Sequence, residues 1–130
     1  MKYACLVYYD EAIIDAMTDA DWDALNRECM AYGEDIGASG HRLGGQALEP
    51  TRTATTVRVR NGTVSTSDGP FAETREQLAG FYLIEARDLN EAIQTASRIP
   101  PARLGSIEVR PVRELRAEDN TRGEQRTRVG

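Results

Sequence analysis

One histidine and two cysteines are too few for a structural zinc site, and their spacing matches no usual ligand pattern. Carboxylates alone can hold a hard cation, yet no calcium-loop pattern is present. No metal or other cofactor is therefore called for. No apolar run is long enough to span a membrane. Met1-Lys2 leads directly into Tyr3-Ala4-Cys5-Leu6-Val7-Tyr8-Tyr9, which reads as a strand and not as a secretory leader. A cytoplasmic location follows by default. Positive charge is also short: 16 Lys and Arg face 21 Asp and Glu, a net charge of −5. That argues against direct nucleic-acid binding, which draws on a basic surface to release counterions. Gly37 to Gly45 lacks the order and the lysine of a phosphate loop. No Ser or Cys sits in a nucleophile motif. Cys5 and Cys29 fall on apolar faces and read as buried thiols.

What is present suffices for one domain. A chain of 130 residues, 40% of them hydrophobic, can bury one real core but not two. The stretch Asp68 to Ala86 organises it. Asp68-Gly69-Pro70 can be neither helix nor regular strand. Glu73, Arg75 and Glu76 crowd charge into the loop that follows. Gly80 to Ala86 then reads as a strand, with Phe81 and Leu83 on one side and Tyr82 and Ile84 on the other. Both sides are apolar, as in a strand covered on both faces.

The first strand, Tyr3 to Tyr9, has the same two-sided character. Asp10 and Glu11 end it and read first as a solvated loop; the alternative puts Asp10 at the rim of a cleft. Thr18 or Asp19 caps a helix in which Trp22, Leu25, Cys29, Tyr32 and Ile36 recur at helical spacing, and Gly37 and Gly40 end it. Arg42 to Leu48 is a short strand loosened by Gly44-Gly45. Asn61-Gly62 between alternating runs predicts a two-residue hairpin turn. That turn pairs Arg60 with Thr63, Val59 with Val64, Arg58 with Ser65 and Val57 with Thr66, leaving three valines on one face. Asp88-Leu89-Asn90-Glu91 opens a second helix with a capping box, and Leu89, Ala92, Ile93 and Ala96 form its predicted buried stripe. Ser106 to Arg110 is a last strand with one apolar face. From Glu114 onward the pattern dissolves into mixed charge. The division expected is a domain over residues 1–113 and a polar, flexible tail over 114–130.

The run DGPFAETREQLAGFYLIEA, then DLNEAIQTASRIP and GSIEVRPV, with ATTVRVRNG and the opening strand ending YYDEA, resembles the DGPF family of YCII-related proteins. The resemblance covers nearly all of Met1 to Val112. It implies an α+β fold: a ferredoxin-like βαββαβ core, here with an inserted hairpin, paired into a dimeric α/β-barrel. The first strand and Gly80–Ala86 are expected at the centre of the sheet. The two-sided strands call for a homodimer on their own account, since helices on one face leave the other face wet.

Function is less legible. The topology could gather Asp68 and Glu73 from the loop, Arg58 or Arg60 from the hairpin, and His41 and Asp10 from element ends. Asp68 and His41 are the candidates for acid–base catalysis, since histidine titrates near neutrality and a carboxylate beside an apolar wall can hold its proton. Glu73, Arg58 and Asp10 are the candidate ligand contacts. Each also has a plainer reading: Asp68 as a turn aspartate bonding nearby amides, His41 as an ordinary residue at a helix–strand junction, and the loop charges as a solvated set. Two functions remain open. One is a small-molecule enzyme or binding protein using a cleft beside the loop. The other is a regulatory module associated with extracytoplasmic-function sigma factors, in whose company the family is found.

Overall fold

The computed structural model describes residues Met1–Leu115, so the expected tail falls almost wholly outside the described residues. The elements are β1 (Lys2–Tyr9), α1 (Glu11–Asp15), α2 (Asp19–Ala38), β2 (Arg42–Ala47), β3 (Thr55–Arg60), β4 (Thr63–Asp68), β5 (Gln77–Glu85), α3 (Leu89–Ala96) and β6 (Ser106–Pro111), with 3-10 turns at Thr51–Thr53 and Pro100–Arg103. Four strands form one antiparallel sheet in the order β2-β5-β1-β6, and β3 pairs with β4 alone. This is the ferredoxin-like α+β arrangement, with β1 and β5 central and the hairpin inserted after β2.

Strand alternation decides what is buried. Tyr3, Cys5 and Val7 on β1 and Ile84 on β5 join Tyr32 and Ile36 of α2 and Ala92 and Ala96 of α3 in one core. Both helices therefore lie on one face of the sheet. Ala4, Leu6 and Tyr8 point the other way and stay half-buried, with Leu6 paired to Phe81 and Ala4 to Leu83. Among the described residues no helix is long and apolar enough to cross a membrane.

Two glycines let strands approach closely. A Cβ at Gly45 would lie 2.7 Å from the Phe81 carbonyl oxygen, and one at Gly80 would lie 2.7 Å from that of Gln46. A third, Gly105, packs its Cα against the end of β1, where a Cβ would fall 2.0 Å from the Tyr8 carbonyl oxygen. No side chain is tolerated at such separations.

The hairpin turn carries positive φ at both Asn61 (51°) and Gly62 (74°), and the register is the expected one throughout. The three valines share one face, 56–64% exposed, because the hairpin stands away from the core. At the hairpin base the Gly69 amide bonds the Ala54 carbonyl at 2.8 Å, which brings the signature loop back beside the start of β3.

Four expectations need correction. Asp10 and Glu11 are not a solvated loop: Asp10 caps α1, its carboxylate accepting from the Ala12 amide at 2.9 Å. Gly37 does not end α2, which runs on to Ala38; Ser39 caps it and Gly40 turns the chain at φ 82°. The strand expected from Gly80 begins at Gln77, because β1 continues to pair across a bulge opposite Val7/Tyr8. On α3 the buried stripe is Ala92, Thr95 and Ala96, while Leu89 and Ile93 are exposed. Small residues let α3 sit close, and the Tyr32 hydroxyl donates to the Thr95 carbonyl at 2.8 Å.

Candidate functional site

β1 has eight residues, so its ends lie roughly 25 Å apart at about 3.3 Å per residue. This length separates the candidate residues. His41 belongs to the start of β1: its carbonyl accepts from the Glu85 amide, and the neighbouring Ala86 amide bonds Met1. Asp10 belongs to the other end. The hairpin base and the loop into β5 lie at that second end too, because Gln77 pairs with Tyr9 and its side-chain carbonyl accepts from the Glu11 amide at 2.8 Å. His41 is thus not brought to Asp68, Glu73 or Asp10.

Each candidate has a definite setting. Asp68 ends β4 opposite Thr55, exposed, and among the described residues its side chain has no hydrogen-bond partner. The expected turn bonds from its carboxylate are not formed. Arg58 pairs with Ser65 and so lies on the opposite hairpin face from Asp68. Its Nη2 donates to the Phe71 carbonyl at 3.3 Å, and Thr56 donates to the Gly69 carbonyl at 2.8 Å. Arg58 therefore holds the loop backbone. Glu73 is exposed on the loop, and Arg60 donates to the Val59 carbonyl. Glu76 accepts from the Ser106 hydroxyl at 2.8 Å, which ties the loop to β6.

His41 sits between two partners. Its Nδ1 is 2.8 Å from the Ser39 hydroxyl and its Nε2 is 3.4 Å from Glu91. Glu91 also accepts from the Arg87 amide at 3.0 Å and pairs with its guanidinium at 2.8 Å. The Arg87 amide, then the Arg87 and His41 charges, hold the Glu91 carboxyl below the usual carboxylate range. This group clasps the end of α2, the start of β2 and the start of α3.

A large concavity lies elsewhere, between α2 and the helix-side face of β1, β5 and β2. Its volume is about 1040 Å³. Val7, Gly80, Tyr82 and Gly45 contribute its floor; Trp22, Leu25, Cys29 and Gly33 contribute the α2 wall. No residue of Asp68 to Glu76 lines it. Its mouth opens at the Tyr9 end, beside Glu11, whose carboxylate accepts from the Thr51 amide at 2.8 Å and from the Thr51 hydroxyl. Burial, then the Glu11 charge, pushes the Tyr9 phenol above its ordinary value.

The cysteines divide. Cys5 is fully buried, and burial pushes its thiol up to about 11. Cys29, expected to be buried, is half-buried and lines the cleft; burial is the main cause that raises its thiol. Among the described residues no three His, Cys, Asp or Glu side chains converge as a metal-ligating group.

Sequence reasoning missed this cleft and Glu11. The cleft wall is open at Gly33, and Glu11 is held by a residue in a distant loop; no spacing rule reveals either. The one signal available was the alternative placing of the YYDEA strand end at a cleft rim.

The YCII-related domain model matches residues 1–116. An uncharacterized protein of Rhizobium meliloti (strain 1021) is 41% identical over 115 residues, which is 86% of this chain and 92% of that protein. With the fold, the strand order and the signature loop in agreement, the chain belongs to the YCII-related family.

Proposed function

We propose that this protein binds and transforms a small molecule in the cleft between α2 and the sheet, and that it works as a homodimer. The observation that carries this reading is the cleft itself. Its volume of about 1040 Å³ and its mixture of apolar walls with a few polar groups suit a metabolite-sized ligand. Glu11 and Tyr9 supply oxygen groups at its mouth, and Glu11 is held in place by Thr51. Groups fixed in this way are the usual means of proton transfer. Asp68 and Glu73 are proposed as loop carboxylates that meet the ligand outside the cleft proper. Asp10 is proposed to act on the site only by capping α1, Arg58 by holding the loop, and His41 by clasping its junction.

A thermal-shift screen of metabolites on the wild type and on Gly33→Leu tests the reading, because binding to the folded state raises its melting temperature. Ligands that raise it in the wild type and not in Gly33→Leu support the cleft. A library without hits, or hits that shift both proteins equally, defeats it.

A second reading is favoured by the exposed faces of Val57, Val59 and Val64. A regulatory module could use them to dock an extracytoplasmic-function sigma factor. A one-to-one heterocomplex that buries these valines would replace the enzyme reading.

A further inference from the structure

The charged residues around the cleft are unevenly placed. The mouth at the Tyr9 end carries Glu11, Asp15, Asp19 and Glu49 against a single guanidinium, Arg52. Thr51 already occupies the Glu11 carboxylate. Among the described residues Asp15, Asp19, Glu49 and Arg52 join no ion pair. The mouth therefore keeps an excess of negative charge. At the far end Glu34 and Arg42 balance one another in sign.

The interior is of another character. Val7, Leu25 and Tyr82 line its inner part, Trp22 and Met30 lie at its solvent-exposed edge, and the α2 wall has a gap at Gly33. Gly45 and Gly80 are explained by the neighbouring strand, which leaves no room for a Cβ. Gly33 has no such reason: a Cβ there would meet nothing within 4 Å, and alanine is the better helix former. The room beside Gly33 belongs to the cleft.

We infer that the cleft takes an amphiphilic amine, with an apolar ring-bearing body beside Gly33 and an ammonium group at the Asp15–Asp19–Glu49 mouth. The inference rests on the cleft being the ligand site. Carboxylates rimming a low-dielectric cleft concentrate cations and repel anions. The rim is exposed to solvent, so the preference is modest and falls with salt.

Three probes of one shape test it: adamantanemethylamine, adamantanemethanol and adamantanecarboxylate, titrated into the full chain. Trp22 is the only tryptophan and lines the cleft, so its fluorescence reports binding. The amine is expected to bind about tenfold more tightly than the carboxylate at low salt, with the alcohol between them. Asp15→Asn with Asp19→Asn and Glu49→Gln closes that gap and leaves the alcohol unchanged. Gly33→Leu blocks all three while the protein still melts cooperatively. A carboxylate that binds as tightly as the amine, or a gap that survives the triple substitution, overturns the amine preference and leaves the cleft standing. Binding of none of the three, or binding unaffected by Gly33→Leu, overturns the cleft as well.

Discussion

The carboxylate of Glu11 takes two hydrogen bonds from Thr51, one from the amide at 2.8 Å and one from the hydroxyl. A residue just past β1 thereby holds the turn that leads into the hairpin. Removing the carboxylate leaves the Thr51 amide without a partner. Glu11→Ala is expected to cost about 1–3 kcal/mol, whereas Thr51→Ser, which keeps both donors, costs little. Urea midpoints of the two variants measure the difference. Equal midpoints would show that the bond contributes nothing.

Asp68 has no partner among the described residues, so its substitution leaves no bond broken. Asp68→Asn is expected to melt within about 0.5 kcal/mol of the wild type. Its ligand response then decides its role. A weaker response in a variant of unchanged stability assigns Asp68 to the site, and an unchanged response removes it.

Two glycines should respond in opposite senses. Gly33→Ala meets open space in mid-helix and is expected to stabilise by about 1 kcal/mol. Gly105→Ala drives a Cβ into the Tyr8 carbonyl oxygen and is expected to cost about 3 kcal/mol. Thermal melts of the pair check both signs.

Glu91 supplies a pH dependence. Its carboxyl is held low in the folded protein, chiefly by the Arg87 amide. The unfolded chain therefore binds this proton more readily than the folded one, and acid favours unfolding. The contribution is full above the ordinary carboxylate range and is lost as pH falls through the lowered value. The stability gap between wild type and Glu91→Gln should be largest near neutrality and shrink in acid. A gap that does not change with pH would assign it to packing.

The open face of the sheet presents Leu6, Tyr8, Leu78, Phe81 and Leu83. At roughly 25 cal/mol per Å², leaving such a surface in water costs several kcal/mol, and a second copy is the natural cover. Light scattering at micromolar concentration is expected to give twice the 14.4 kDa chain mass. Leu6→Asp with Phe81→Asp should halve it. A wild-type monomer at that concentration would defeat the proposal.

How much of this was legible follows from how local each feature is. Asn61-Gly62 fixed the hairpin turn and its register because a two-residue loop leaves no freedom. Most of the α2 stripe was readable because Leu25, Tyr32 and Ile36 repeat at helical spacing and are buried, whereas Trp22, in the same stripe, is exposed near the start of the helix. On α3 the same rule gave Leu89, Ala92, Ile93 and Ala96; the two alanines are buried, whereas the larger Leu89 and Ile93 are exposed. The site was hardest. Asp68, His41 and Arg58 are chemically attractive, but strand length removed His41 and strand alternation removed Arg58 from Asp68. Glu11 gained its role from a partner no spacing rule connects to it.

The strand order also governs the sequence of folding events. β1 pairs only with β5 and β6, both from the later part of the chain. While a nascent chain is short, β1 has no neighbour to bond. The β3–β4 hairpin closes over two residues and can form within microseconds. The central sheet must await contacts of long sequence separation, which are slow to close. The hairpin is therefore an early and independent event, whereas the cleft floor, built on β1, β5 and β2, is completed only after β5, which ends at Glu85, has emerged.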